Sequence, residues 1–194
     1  NVDYIFYPSA PEMYPAQESM TYVEVPDLGC LLCGTSRPTH FRGVTTVVAK
    51  LFNIVQPDKA FFGQKDFQQL LIIKKMVADL NMPVEVIGCP IVREADGLAM
   101  SSRNTYLSPD ERRAALVLSK ALAQAKQSKQ KNAATLIAEL QKFISQEPLA
   151  KIDYISLVGQ QTLQPVDNIS KGDLLAMAVF IGKTRLIDNW VVGE

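Results

Sequence analysis

The stretch Phe61-Phe62-Gly63-Gln64-Lys65-Asp66-Phe67-Gln68-Gln69 decides how this chain is read. It follows a turn at Gln56-Pro57-Asp58, and the apolar run 60–62 reads as the end of a buried strand. Gly63 permits a sharp backbone turn at no Cβ cost. Leu70, Ile73, Val77 and Leu80 then share one face at helical spacing. Lys65 and Asp66 therefore sit where a strand hands over to a helix N-terminus. In parallel α/β sheets ligands bind at that place, and the free backbone N–H groups favour anions. A solvated turn that happens to carry a lysine and an aspartate fits the same residues.

The flanking segments extend the pattern. Val44, Val47, Val48, Leu51, Phe52 and Val55 form the clearest amphipathic helical stripe. The helix over 67–80 is stopped by Asn81-Met82-Pro83, and 84–89 reads as another strand. Upstream, 2–7 reads as a strand, 21–25 as a short strand and 28–35 as a short helix. The order β-α-β-α-β with short links predicts a parallel, right-handed sheet. After Asn104 the pattern changes. Ser108-Pro109-Asp110-Glu111 is a capping box with proline at the first helical position. Ala114, Leu118, Leu122 and Ala125 mark the helix behind it, and Leu136, Leu140 and Phe143 mark a second, ended by Pro148. Residues 152–158, 174–181 and 186–192 are strand-like. Helices followed by consecutive strands predict a small α+β domain with an antiparallel sheet. The boundary falls near Gly97, dividing the chain into 1–97 and 98–194.

Lys+Arg and Asp+Glu both number 20, and this charge balance argues against nucleic acid as a partner. No apolar run is long enough to span a bilayer, and no signal peptide opens the chain. Three cysteines without a secretory signal suit a reducing, cytoplasmic setting. Cys30-x-x-Cys33 has metal or redox spacing, but no second pair follows and Leu31-Leu32 reads as buried wall, so no metal site is assigned. The chain begins at Asn1 and reads as a piece of something longer.

A second stretch carries chemistry. Met100-Ser101-Ser102-Arg103-Asn104 follows the turn at Asp96-Gly97. Two hydroxyls and a planar guanidinium suit phosphate oxygens, although Ser-Ser-Arg also occurs in surface loops. Together the two stretches resemble the pantothenate synthetase (pantoate–β-alanine ligase) family, whose pattern is F-G-x-K-D-[FY]-Q-Q followed by D-G-L-A-x-S-S-R-N. A third family stretch, S-R-P-G-H-F-R-G-V, appears as Ser36-Arg37-Pro38-Thr39-His40-Phe41-Arg42-Gly43-Val44. The resemblance covers about residues 2–189.

That resemblance implies an α/β fold: part of a Rossmann-like nucleotidyltransferase parallel sheet, plus a small C-terminal, lid-like α+β domain with an antiparallel sheet. It implies an ATP-dependent ligase that joins pantoate to β-alanine through a pantoyl adenylate, releasing pyrophosphate and then AMP. Mg²⁺ on the phosphates and a homodimer are expected with it, and no dedicated carboxylate cage for the ion is apparent. Lys65 and Arg103 supply charge to the phosphates, and Ser101 and Ser102 donate to the same oxygens. By the resemblance, Gly63 and Asp66 are expected to face the ribose and Val92 to lie beside the adenine, with Gln64 and Met100 completing the ATP-binding stretches. Gln69 resembles the family glutamine that holds pantoate, and its i, i+4 spacing from Lys65 independently suits a residue handling a second substrate. Arg37 and Arg42 either contact substrate or brace their loop. His40 is a general base by its ordinary pKa or, as its loop motif suggests, a structural or substrate-loop residue. Tyr106, Tyr154 and Trp190 are expected in core or hinge packing.

Three departures stand out. Position 39 is Thr where the family has Gly, position 64 is Gln where Glu is frequent, and no H-x-G-H motif is present. The pantoate-binding glutamine of the family's first half is absent too. Two readings follow: a ligase of which these residues are one part, inactive alone, or a non-catalytic nucleotide-binding or interaction fragment.

Overall fold

The computed structural model of the chain describes residues 2–15 and 21–194. Short helices α1 (Ala10–Met13), α2 (Pro26–Gly29) and α3 (Cys33–Ser36) precede the long α4 (His40–Val55). Strand β1 (Lys59–Gly63) follows, then a 3₁₀ turn (Gln64–Asp66), α5 (Phe67–Asp79) and β2 (Glu85–Cys89). β1 and β2 pair in parallel, with Lys59 opposite Glu85 and Gly63 opposite Cys89. Gly88 admits close packing here, since a Cβ on it would lie 2.8 Å from Leu70 Cδ2. Val48 and Ala49 of α4 pack against Ile73 and Met76 of α5, as their helical spacing predicts.

A second 3₁₀ turn (Ser102–Tyr106) leads to α6 (Pro109–Gln127) and α7 (Ala133–Ile144). The capping box forms as read: Ser108 N–H donates to Glu111 Oε2 at 2.8 Å, and Glu111 N–H donates to Ser108 Oγ at 3.3 Å. Strands β3 (Ala150–Val158), β4 (Leu174–Ile181) and β5 (Thr184–Val191) then make an antiparallel sheet in the order β3-β4-β5. The two sheets establish the α/β class. Alternate residues of the antiparallel sheet serve two cores. Leu175, Met177, Val179 and Ile181 face α6 and α7, whereas Leu174 and Ala176 pack with Leu28, Phe41, Phe67 and Ile72.

Several expectations need correction. Residues 2–7 form no strand; Tyr4 and Tyr7 are more than nine-tenths exposed, and no neighbouring strand among the described residues takes up their backbone groups. The parallel sheet therefore shows two strands here instead of a β-α-β-α-β series. Residues 21–25 also make no ladder. Val23 is held by side chains of α4, with its N–H donating to Thr46 Oγ1 at 3.0 Å and its carbonyl accepting from Thr45 Oγ1. The helix expected over 28–35 is broken into α2 and α3 by Leu32, whose φ of 45° cannot continue a right-handed helix. Tyr106 is exposed and is not core packing. Gly63 adopts φ −70°, which any residue can take, so no left-handed turn requires glycine there. Thr39 does occupy the left-handed region, at φ 66°, so it keeps a conformation natural to glycine.

Gln68 ties the helical loops to α5. Its Nε2 donates to the carbonyls of Leu28 and Leu31 at 2.8 and 2.7 Å, and its Oε1 accepts from Cys33 N–H at 3.1 Å. The side chain is buried, so water cannot replace these bonds. Gln68→Leu should lower unfolding free energy by about 2–4 kcal/mol, because three backbone groups lose their partner. Urea denaturation reads this directly; an unchanged midpoint would show that the loops hold without the amide.

Candidate functional site

The turn after β1 projects Lys65 into a cleft between α5 and the antiparallel sheet, and Gln69 on the first turn of α5 lines the same cleft. The carboxylate of Asp66, at the N-cap of α5, makes no capping bond, and its Oδ2 stands 3.6 Å from Lys65 Nζ. Arg37 enters from the loop between α3 and α4, His40 from the first turn of α4, and Arg103 from the second 3₁₀ turn. The far wall comes from Tyr154 on β3, Ala176 and Met177 on β4, and Arg185, Asp188 and Asn189 on β5. The cavity encloses about 60 Å³. Arg37, Arg103 and Arg185 also line a wider adjoining groove of about 810 Å³, which Lys183 flanks.

Cations dominate this cleft. Arg185 is anchored by Asp153, with Nε–Oδ2 at 3.0 Å and Nη2–Oδ2 at 2.7 Å. Both of its terminal nitrogens also donate to Cys33 Sγ at 3.6 Å, and that sulfur lies 3.2 Å from the Tyr154 hydroxyl. Burial pushes the Tyr154 phenol well above its ordinary range, so it stays neutral. Asp188 is buried at the cleft edge, where its charge alone would repel an anion. Arg93 grips it bidentately at 2.7 and 2.9 Å and cancels that charge. Burial, then the nearby guanidinium groups of Arg37 and Arg103, hold the His40 imidazole below its ordinary 6.5.

The Ser101-Ser102-Arg103 loop is braced from α6. Arg112 donates to Glu94 Oε2 at 2.7 Å and to Asp96 Oδ2 at 2.6 Å, which holds both carboxyls below their usual range. Glu94 Oε1 accepts from Asn104 Nδ2 at 2.6 Å. Ser101 Oγ accepts from Arg103 N–H at 3.2 Å, and Arg103 Nη1 donates to the Arg185 carbonyl at 3.2 Å.

Of the residues the sequence singled out, Arg37, His40, Lys65, Asp66, Gln69 and Arg103 share the cleft. Ser101 lines a small adjoining cavity with Lys65 and Arg103. Gln64 lies at a separate cavity beside Arg93, and Gly63 ends β1 with open space where a Cβ would stand. Val92 and Met100 are exposed outside the cleft and joined by a Met100 N–H to Val92 carbonyl bond of 2.9 Å. Ser102 caps nothing, and its carbonyl accepts from Thr105 Oγ1 at 2.7 Å. Tyr154 packs as expected and also lines the cleft. Sequence reading missed Arg185, Asp188 and Asn189. Their signal was present: polar residues interrupting an apolar strand. Among the described residues no three His, Cys, Asp or Glu side chains gather to hold a metal ion, and no helix is long and apolar enough to cross a membrane.

Fold and site define an α/β protein with a cleft lined by lysine and arginine side chains. The sequence model of the family described as Pantoate-beta-alanine ligase matches residues 1–191, and the chain belongs to that family of ligases. The pantothenate synthetases of Heliobacterium modesticaldum and Sulfurihydrogenibium sp. are each 59% identical to it, covering 98% and 97% of this chain and 69% of each relative. Pantothenate synthetase from Thermus thermophilus superposes with a TM-score of 0.90 at 43% identity, covering 95% of this chain and 67% of that one. Pantoate-beta-alanine ligase from Francisella tularensis, solved with beta-gamma ATP and beta-alanine, gives 0.72 at 32% identity over 95% of this chain and 62% of that one.

His40 makes a pH test of this cleft. Its folded pKa is depressed, so the unfolded chain takes up the proton first as pH falls. The associated stability is present above 6.5 and is lost as pH drops through the lower folded value. An NMR titration of the imidazole should give a midpoint below 6.5, and His40→Gln should flatten the stability slope below that pH. A midpoint above 6.5 would contradict both the burial of the imidazole and its cationic surroundings.

Proposed function

We infer that this cleft serves ATP-dependent activation of pantoate and its transfer to β-alanine. The observation that carries the reading is the meeting of three sequence motifs in one cavity: Lys65 and Gln69 from the first, Arg103 from the second and Arg37 from the third. The complex of the Francisella relative with beta-gamma ATP and beta-alanine supports ATP and β-alanine as substrates.

A pantoate carboxylate oxygen attacks the α-phosphorus of ATP, the bond to pyrophosphate breaks, and a pantoyl adenylate forms. Anion meets polyanion in this step, so offsetting positive charge is the main requirement. Lys65 and Arg103 supply it, with Ser101 and Ser102 as hydroxyl donors. Asp66 borders the nucleotide within the cleft, and Gly63, Gln64, Val92 and Met100 border the part of it that extends outside. Open space over Gly63 suits close approach of a ligand to the backbone. Gln69 and Arg37 hold pantoate. The β-alanine amine then attacks the acyl carbonyl and AMP leaves. Mg²⁺ would arrive with ATP and would offset charge on its phosphates. Residues 98–194 act as the lid, dividing from 1–97 at Gly97, where φ is 92°. The same reading carries the family's homodimer and a cytoplasmic setting, which the free thiols of Cys30, Cys33 and Cys89 suit.

Pyrophosphate release from ATP and pantoate, followed by pantothenate formation on adding β-alanine, tests the function. In a preparation that turns over, Lys65→Ala should lower kcat by about 10²–10³-fold, the usual loss for one transition-state donor, with a smaller change in ATP affinity. Near-normal turnover would remove Lys65 from the chemistry. Binding without any turnover would favour a nucleotide-binding part over a complete catalyst.

Gln69 separates the substrates. Gln69→Ala should raise the pantoate KM about tenfold, the loss of one or two hydrogen bonds, and leave the ATP KM nearly unchanged. An effect confined to ATP would move Gln69 into the nucleotide site.

A further inference from the structure

Lys65 stands on a three-residue turn, and its reach into the cleft depends on how that turn is held. The holding group comes from the other end of the chain. Nδ2 of Asn189, on β5, donates to the carbonyl of Gln64 and to that of Lys65, each at 2.9 Å. Those carbonyls belong to the two peptide planes that flank the Lys65 Cα. Fixing both planes fixes φ and ψ of Lys65, and hence the direction of its Cα–Cβ bond. An amide nitrogen carries two N–H groups, and both are used here.

Asn189 is itself held. It lies opposite Ala176 in the β4–β5 ladder, and its N–H donates to Asp188 Oδ1 at 2.9 Å. Asp188 is locked to Arg93, so β5 grips the loops that follow both parallel strands. Asn189 is only 6% exposed, so water does not replace the amide. Aspartate at this position would set carboxylate oxygens against two carbonyl oxygens, and leucine would leave both carbonyls unmatched.

We propose that Asn189 is a positioning residue for Lys65: it aims the ammonium into the cleft by clamping the peptide planes on either side of it. The proposal rests on the reading of Lys65 as a phosphate-contacting cation only for its effect on ligand binding; the clamp itself is structural.

The test is a double-mutant cycle on the full chain, with inorganic pyrophosphate as the probe in titration calorimetry and amide hydrogen exchange as the second readout. Asn189→Leu should weaken pyrophosphate binding about tenfold, the scale of one or two buried hydrogen bonds. Lys65→Ala should weaken it to a similar degree, and the double variant should lose little more than either alone, because one residue acts through the other. Amides 64–67 should exchange about tenfold faster in Asn189→Leu, with β3 and β4 unchanged. Additive losses, or unchanged exchange at 64–67, would overturn the proposal. If Lys65→Ala binds pyrophosphate normally, the phosphate role of Lys65 falls, and the exchange result alone decides the clamp. Asn189→Ala, which removes the donors without adding a charge, supplies the same cycle should Asn189→Leu not fold.

Discussion

β4 is buried on both faces, and the rest of the structure depends on what covers each. Its odd-numbered residues from Leu175 to Ile181 pack under α6 and α7, and Leu174 and Ala176 pack toward α2 and α5. Burying a large apolar side chain is worth roughly 1.5–3 kcal/mol, so neither face can be left to water. The second face brings the helix behind the Lys65 turn against the sheet that carries Arg185 and Asn189. The cleft is the gap left where that contact stops being apolar.

Inside this gap the protein concentrates like charges, which an ordinary core avoids. Lys65, Arg37, Arg103 and Arg185 converge; Asp188 is taken up by Arg93, while Asp66 stands 3.6 Å from Lys65 and Asp153 pairs with Arg185, so the cations outnumber the carboxylates that face them. The pKa of His40 is lowered first by burial and then by the same field. Such an arrangement suits an anion that arrives from outside, because the repulsion among cations is relieved on binding. The mild groups at the wall, the Cys33 thiol and the neutral Tyr154 phenol, add no opposing charge beside the Arg185 guanidinium.

Much of the fold was legible in sequence because local periodicity is strong where one element faces one core. The stripe of α4, the capping box at Ser108 and the three C-terminal strands were read within a few residues of their ends. The failures share a cause. Residues 2–7 look like a strand, yet a strand exists only where a neighbour accepts its hydrogen bonds. Residues 21–25 alternate like a strand but are fastened by two threonine side chains from α4, a contact no pattern announces. Gly63 permits a sharp turn, yet its φ is ordinary, since the 3₁₀ turn begins after it.

The sequence by itself determined the long helices, the strands from β1 to β5, the α/β class and the motif residues Arg37, Lys65, Gln69 and Arg103, because these follow from spacing and side-chain chemistry within short windows. Only the tertiary structure decided that those motifs share one cleft, and that Arg185, Asp188 and Asn189 complete it. The reason is physical. Asn189 meets the carbonyls of Gln64 and Lys65 across more than 120 residues of chain. Such a bond is specified by how two apolar faces pack, and that packing is a property of the whole chain and not of any window within it.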